Sequence, residues 1–455
     1  ARRIRRIQRG VTFGPELLLE RLDALESAGN KPHRYVIALS GGLDSVVLAH
    51  ALAVTRERHG KSLLAVHVDH QLHPESGSWN DHCRGLADTL GIEFVAETVS
   101  VDTSAGGGIE AAAREARYAA LALYTGDRDW LLSAHHRNDQ AETLLLNLMR
   151  GSGPTGLAGI GLLTQFAGGW LARPLIHVSR AALEAYAAKH GLRWIDDPSN
   201  EDLRFDRNYL RHDVLPALEQ RWPGVVERLA RSAELAAEAT SLLDELAATD
   251  LHSVGDRAAR IDIAGLLALS DARQRNLLRH AVRRAGLPAP GAAPLATVLE
   301  SVLRAREDAQ PLVAWRGAEV RRYRGKLYLL PPIGEQVWPA EGRTLAATPV
   351  SLGPGMGALR RVPGAARGLS DAIVERGLSI RMRKGGEEIK ALDQTHTKKL
   401  KKLLQEEGVV PWMRERLPLI YADEKLVAVA DLWIAADAAS EPGTALCWDE
   451  PPELN

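Results

Sequence analysis

Three short clusters hold residues whose types and spacing could do chemistry. The first is Ser40-Gly41-Gly42-Leu43-Asp44-Ser45. Glycines let a backbone take positive φ and pass close to a ligand. The N–H groups of such a turn form an anion nest, and a helix starting there points its positive end at the ligand. Asp44 is then placed to hold Mg²⁺ near bound phosphates. An ordinary tight strand–helix turn is the plain alternative, but the full hexapeptide in this context favours phosphate binding by Ser40, Gly41, Gly42, Leu43, Asp44 and Ser45. The loop lacks the lysine of GxxxxGK[ST], so it is a phosphate loop of a different kind.

The second cluster is His67-Val68-Asp69-His70-Gln71-Leu72-His73. Three histidines and an aspartate invite a zinc reading. Their spacing fits no common zinc template and no cysteine joins them; their position at the end of a strand, at the sheet's carboxyl edge, suggests that Asp69 and His70 make nucleotide or nucleoside contacts. The third cluster runs from Ser133 to Thr143. His135, Asp139 and Glu142 stand at i, i+4 and i+7, a spacing that places them on one helical face. Capping by Asn138 or Asp139 is the structural alternative. It does not explain why His, Asp and Glu should align there, so Asp139 and Glu142 are candidate active-site carboxylates and His135 a nucleotide contact. Two arginine pairs complete the inventory. Arg114 and Arg117 follow Gly106-Gly107-Gly108, where surface pairing with Glu110 is the bland reading. Arg207 and Arg211 follow Asp196-Asp197-Pro198-Ser199-Asn200, where a polar turn and helix start is the alternative to a phosphate or base clamp.

These clusters need elements to position them. Residues 35–39 are a continuous apolar run, read as a buried parallel strand. Further strands are expected at 63–68, 93–99, 130–133 and 169–171, with helices after the glycine turn and at 79–90, 109–124 and 139–149. Alternating strands and helices predict an α/β, doubly wound, mostly parallel sheet. In such sheets ligands sit beyond the carboxyl ends of the strands, at the switch point. A helical middle region follows: apolar residues from Val225 to Leu246 recur at helical spacing, and more helices are expected at 263–269, 272–285 and 294–306, with short strands at 313–316 and 327–330. Residues 331–378 are rich in Gly and Pro and read mostly as connection. A small α+β domain closes the chain, with a helix at 397–406 and strands at 417–421 and 426–430.

The whole chain of 455 residues is 45% hydrophobic and 25% charged, ordinary for a folded protein of about three domains. No run reaches the roughly 18 apolar residues that a membrane span requires, so no membrane association is expected. The basic start ARRIRRIQRG lacks the apolar core of a secretory signal. The two cysteines, Cys83 and Cys447, make no disulfide framework and no paired-thiol or iron–sulfur chemistry, which points to the cytosol. Net charge is −1 but unevenly spread. Residues 251–330 hold 14 Lys+Arg against 7 Asp+Glu, and residues 381–402 hold 8 against 3. Six of the 11 lysines lie between Lys384 and Lys402. Lysine gives mobile point charges suited to tracking a phosphate backbone. Lys398, Lys401, Lys402 and Gln405 could line one helical face, although a merely solvated helix would look similar.

The hexapeptide loop resembles that of the N-type ATP pyrophosphatases, the PP-loop superfamily. Within it, SGGLDS (40–45), VDHQLH (68–73), GIEAAAREARY (108–118), HHRNDQAETLLLNLMRGSGPTGLAGI (135–160), RPLI (173–176) and DDPSN…DRNYLR (196–211) together resemble the tRNA(Ile)-lysidine synthetases. The stretch Lys398–Glu406 with Val410-Pro411-Trp412 and Arg416-Leu417-Pro418-Leu419 looks like that family's terminal tRNA-contacting domain. The resemblance implies an adenine nucleotide alpha hydrolase-like catalytic domain. It also implies a two-step reaction at the wobble cytidine of a tRNA(Ile) with anticodon CAU. ATP with Mg²⁺ adenylates the C2 oxygen, and the ε-amine of free L-lysine then displaces AMP. Asp44, Asp139, Glu142, Arg114 and Arg207 are the catalytic candidates; Arg117, Arg211, Lys398, Lys399, Lys401 and Lys402 are candidates for tRNA contact. The expected domains are an N-terminal extension (1–32), the catalytic domain (33–222), a mostly helical tRNA-binding domain (223–335), a linker (336–378) and the C-terminal tRNA-binding domain (379–455), in a monomer or homodimer. A thiolating tRNA enzyme of the same superfamily is the nearest rival, but it generally needs more cysteines. A small-molecule amide ligase would not need basic accessory domains, and a non-catalytic RNA-binding protein would not need SGGLDS or the acidic pair.

Overall fold

Tyr35, Val36 and Ile37 are fully buried, and the apolar run that contains them forms the central strand β1 (Arg34–Ala38). The computed structural model describes residues 12–27, 31–71, 76–101, 109–257, 259–306, 309–334 and 342–452, excepting the side chains of Glu110 and Asp256. The basic first ten residues, Leu72, His73 and Gly106 to Gly108 lie outside the described residues. The chain divides into two compact units, Ala1–Leu243 and Asp244–Asn455. The division falls inside one 30-residue helix, Val225–Val254.

In the first unit, β1 is joined by β2 (Ser62–Asp69), β3 (Glu93–Thr98), β4 (Asp129–Leu132), β5 (Leu163–Phe166) and β6 (Gly169–Ala172). Their order across the sheet is β3-β2-β1-β4-β6-β5. All neighbours are parallel except β5, which pairs antiparallel with β6 at the edge. Strand β5 escapes a pattern reading because only its end residues are even half-buried. Side chains on both faces of the sheet enter apolar cores, one through Tyr35, Ile37 and Leu132, the other through Val36, Leu64 and Leu131. The helix Pro15–Glu26 opens with proline at its first turn, which suits that position. It buries Leu18, Leu22 and Leu25 in the first of these cores. The stretch expected as an N-terminal extension therefore contributes a packed helix to this unit. The chain runs β1 to β3 outward on one side and returns to β4 on the other, so the switch point lies between the carboxyl ends of β1 and β4.

In the second unit, an antiparallel sheet has the order Gly255–Arg257, Arg260–Asp262, Lys326–Leu330, Ala318–Tyr323, Leu312–Trp315. It shares a core with the helices Asp271–Arg284 and Ala292–Thr297 through Leu277, Leu278, Leu295 and Val320. Two further sheets enclose Leu359, Leu400, Leu403, Leu419 and Val427. Part of the expected linker belongs to them: Ala358–Ala365 pairs with the terminal strand Gly443–Asp449. The glycines that read as connection make the turn of a hairpin. Gly353, Gly355 and Gly357 all have positive φ between the paired strands Val350–Ser351 and Ala358–Ala365. The terminal helix is Leu400–Glu406, shorter than expected, because Lys398 and Lys399 pair as a strand with Glu388 and Ile389. Trp412 packs edge-on to Tyr328, 5.1 Å between ring centres, and lies 5.4 Å from the Arg321 guanidinium. No helix among the described residues is long and apolar enough to cross a membrane.

Candidate active site at the sheet switch point

Leaving β1, the Leu39 N–H still bonds to the Val66 carbonyl at 3.0 Å, and the chain then turns through Gly41 at φ +83°. A Cβ at Gly41 would lie 2.8 Å from Ile195 Cδ1 and 3.0 Å from Cys83 Sγ. The Ile195 N–H donates to the Gly41 carbonyl at 2.9 Å, tying the segment before Asp196 to the loop. Ser45 Oγ donates to the Gly42 carbonyl at 2.9 Å and lies 3.1 Å from Ser40 Oγ. The helix Leu43–Val54 starts at Gly42 without a side-chain cap among the described residues; the Gly42 N–H itself donates to Ser40 Oγ at 3.4 Å, and the N–H groups of the first turn face the loop. That is the arrangement of an anion site.

Asp44 sits in the first turn. Its Oδ2 accepts from Arg180 Nη1 at 2.7 Å and lies 3.5 Å from His136 Nε2. Its Oδ1 is buried with no hydrogen-bond partner among the described residues. A buried unpaired carboxylate oxygen is costly, and it is what a hard cation would take up. Magnesium is commonly held by one or two carboxylates plus substrate phosphates, so the residues fit it. Among the described residues no group of three His, Cys, Asp or Glu could hold a metal.

The third cluster is built differently from its spacing. The helix is Arg137–Met149, and His136 is its cap in extended backbone at φ −124°, ψ −176°. His135 precedes the helix and does not share a face with Asp139; its Nδ1 lies 2.8 Å from Ser133 Oγ. The cap is reciprocal: Asn138 N–H donates to His136 Nδ1 at 3.2 Å, and His136 N–H donates to Asp139 Oδ2 at 2.8 Å. Capping by Asp139 is thus present alongside its place at the site. His136 bridges two carboxylates: Nε2 faces Asp44 Oδ2 and Nδ1 faces Asp139 Oδ2, each at 3.5 Å. Burial opposes charge on His136, but Asp139 and Asp44 outweigh it and hold its pKa above the usual value. Burial works against ionisation of Asp139 too, yet His136, His135 and the His136 N–H keep it below the usual carboxylate value. His135 itself is pushed well down by burial, helped by Arg173, Arg114 and Arg207.

Glu142 is fully buried. It accepts from Arg211 Nε at 2.9 Å and Nη2 at 3.0 Å, and Arg207 Nε is 3.2 Å away. Arg207 Nη2 also donates to Thr143 Oγ1 at 2.9 Å. Burial raises the Glu142 pKa despite the Arg211 hydrogen bonds, which alone would lower it; Arg211 is held more firmly protonated in return. Arg211 lies in a one-turn π-helix, Leu210–Val214, directly after the short helix Asp206–Tyr209. Asn208 ties this segment back by donating to the carbonyls of Ser199 and Asp202 at 2.9 and 3.0 Å.

The second cluster turns out to be partly structural. His67 is buried, its Nδ1 2.9 Å from the Leu39 carbonyl and 3.5 Å from Cys83 Sγ, behind the loop. Asp69 Oδ1 accepts from the Gln71 N–H at 2.8 Å, in a turn where Gln71 takes φ +53°. His70 is held below the usual histidine pKa by burial and by Arg117. Arg114 stacks on Tyr118, 4.9 Å from the ring centre. The lysines belong to the second unit: Lys399, Lys401 and Lys402 are exposed, whereas Lys398 is half-buried and donates to Glu406 Oε2 at 2.9 Å. Lys398 and Lys399 precede the helix, so they do not share its face with Lys401 and Lys402.

Three residues at the site were not singled out from sequence: His136, Arg180 and Ile195. His136 stood beside His135, and a pattern of intervals cannot tell which of two histidines caps the helix. Arg180 comes from the helix Arg180–His190, and only the packing of that helix brings it to Asp44.

Residues 17–218 match the family described as the PP-loop domain, residues 261–328 that of the TilS substrate binding domain, and residues 378–448 that of the TilS substrate C-terminal domain. The chain is 41% identical to the tRNA(Ile)-lysidine synthase of Alkalilimnicola ehrlichii, over 96% of this chain and 97% of the relative. It is 39% identical to that of Coxiella burnetii over 92% of each. Among solved structures, the U34-tRNA thiolase NcsA from Methanococcus maripaludis aligns with 49% of this chain and 80% of its own, at 19% identity and a TM-score of 0.42.

Proposed function

The chain belongs to the tRNA(Ile)-lysidine synthase family, and from that membership we propose how its residues divide the reaction. It is an ATP-using enzyme that forms lysidine on tRNA(Ile). In the first step the C2 oxygen of the wobble cytidine in a CAU anticodon attacks the α-phosphate of ATP, and pyrophosphate leaves. In the second the ε-amine of free L-lysine attacks C2, the C2–oxygen bond breaks, and AMP leaves.

Ser40 to Ser45 and the uncapped helix start receive the phosphates. Asp44 would hold Mg²⁺ through its unpaired Oδ1, and the ion would supply charge neutralisation for the departing pyrophosphate. Asp139 is assigned to the lysine amine. That amine has a pKa near 10.4, so freeing its lone pair at pH 7 costs about 4.6 kcal/mol. An ionised carboxylate positions the ammonium and accepts its proton as the bond to C2 forms, so the free amine need not accumulate. Glu142 does not do this work, because it is buried and both its oxygens face arginines. It fixes Arg207 and Arg211, which present positive charge to the tRNA backbone or to the flipped base. Asp69, His70 and His135 are assigned to the nucleoside, with Arg117 acting electrostatically on His70 and Arg114 on His135. Lys399, Lys401 and Lys402, with Lys398, track the tRNA phosphates.

The observation that carries this reading is the His136 bridge, which sets the carboxylate of the phosphate loop and that of the third cluster on either side of one ring at the switch point. The test is incubation with ATP, Mg²⁺, radiolabelled L-lysine and tRNA(Ile) transcripts carrying CAU or a one-base change. Label entering only the CAU transcript is expected. Pyrophosphate release without lysine transfer would keep the nucleotide site and discard the second step.

A further inference from the structure

Arg180 is the first residue of the helix Arg180–His190, whose cap is Ser179. Leu183, Tyr186 and Ala187 anchor this helix in the same core as Leu43 and Val47 of the phosphate-loop helix. The Arg180 backbone is thereby fixed beside Asp44, and its N–H reaches Asn138 Oδ1 at 3.4 Å. Its side chain is more than a third exposed and spans two carboxylates, with Nη1 on Asp44 Oδ2 at 2.7 Å and Nε on Glu184 Oε1 at 3.1 Å. The backbone is held and the guanidinium is free to leave, with Glu184 as its second resting place.

We infer that Arg180 is an exchangeable counter-cation of the nucleotide site: it occupies Asp44 while no nucleotide is bound and yields that carboxylate when a divalent cation arrives with ATP. This rests on the reading of Asp44 as the metal ligand. The Arg180 guanidinium charge and the His136 ring already face Asp44 Oδ2, so only Oδ1 is open to a cation. A free divalent ion must enter against that charge and gains a single oxygen. An ion carried by ATP brings phosphate charge that offsets the repulsion and gives the displaced guanidinium an anion nearby. The arrangement favours Mg·ATP over bare Mg²⁺ and leaves no ionised Asp44 unpaired in the empty site, where an isolated partly buried charge would be costly.

The test is Mn²⁺ binding to the whole protein without nucleotide, followed by electron paramagnetic resonance, for the parent, Arg180→Met, Arg180→Lys and Asp44→Asn. Methionine keeps the length and removes the charge. Arg180→Met is expected to bind Mn²⁺ about ten-fold tighter than the parent, equivalent to about 1.4 kcal/mol, while Arg180→Lys stays near the parent and Asp44→Asn loses the site. A residue that only packs the helix would not tighten metal binding when removed. Unchanged or weaker Mn²⁺ binding by Arg180→Met, with Asp44→Asn still losing the site, overturns the role of Arg180 alone. Equal Mn²⁺ binding by Asp44→Asn and the parent overturns Asp44 as the ligand, and the counter-cation role with it. If Arg180→Met does not fold, Arg180→Gln serves in its place with the same expectation.

Discussion

At the scale of single residues, the candidate site is a set of charges that hold one another. Glu142 is fully buried, so its ionised form depends on Arg211 and Arg207. Glu142→Gln leaves those arginines facing a neutral amide and is expected to cost about 3 kcal/mol in urea unfolding; about a third of Arg211 is exposed, which holds the figure at the low end for a broken buried pair. Asp139→Asn should separate the two steps: ATP–pyrophosphate exchange on tRNA persists while lysine transfer falls about a hundred-fold or more, read in single turnovers. His136 gives a pH signature. Its pKa is raised, so its contribution to stability is complete below the ordinary histidine value and is lost as pH rises through the raised one. The Asp139 pKa is lowered, so its contribution is complete above the ordinary carboxylate value and is lost only as pH falls through the lowered one. The pair is therefore worth most between about pH 4 and 6.5. His136→Asn should cost more stability at about pH 6 than at about pH 9 in denaturant titrations.

At the scale of elements, the phosphate loop is held from behind. Ile195, Cys83 and His67 close on Gly41 and Leu39, so the loop's shape is set by three segments far apart in sequence. Gly41→Ala adds a Cβ within 3.0 Å of two of them, at a backbone angle that alone costs an L-residue about 1 kcal/mol. Its ATP affinity, measured by calorimetry, should drop about ten-fold or more, with the fold retained by circular dichroism. The helix Arg137–Met149 explains why spacing alone placed His135 on a helical face that it does not share. Intervals of four and seven assume a helix already running at His135, whereas the cap lies one residue later. The π-turn at Leu210–Val214 is likewise invisible to periodicity, yet it carries Arg211, the arginine bonded through two nitrogens to Glu142.

At the scale of the whole molecule, chemistry and basic surface belong to different units. The lysines of the terminal domain stand on an exposed strand end and helix start, outside the unit that holds the phosphate loop. If they contact tRNA phosphates without reading bases, Lys401→Ala with Lys402→Ala should weaken tRNA binding and lower the slope of log affinity against log salt by about two, with tRNA-independent ATP binding unchanged. Filter binding across a salt series reads both. Equal slopes for parent and variant would remove the pair from the interface.

The sequence by itself located strands β1 to β4 and β6 and the helices that alternate with them, because period and apolar runs are local properties; the edge strand β5 and the helices Pro15–Glu26 and Arg180–His190 were not legible in it. It also located the loop, since SGGLDS between a strand and a helix needs no distant residue to be recognised, and it identified Asp44, Asp139, Glu142, Arg207 and Arg211 as chemical candidates by type. Only the tertiary structure decided which of these touch. Arg180 reaches Asp44 across 136 positions and Arg211 reaches Glu142 across 69. Burial then separates the two carboxylates one helical turn apart, closing Glu142 off among arginines and leaving Asp139 partly open beside His136. The hairpin inside the expected linker belongs to the same class: its glycines read as connection until Gly443–Asp449 arrives to pair with Ala358–Ala365. Local pattern reports what a segment can become, whereas charge pairing, burial and strand partnership depend on groups that only folding brings within a few ångströms.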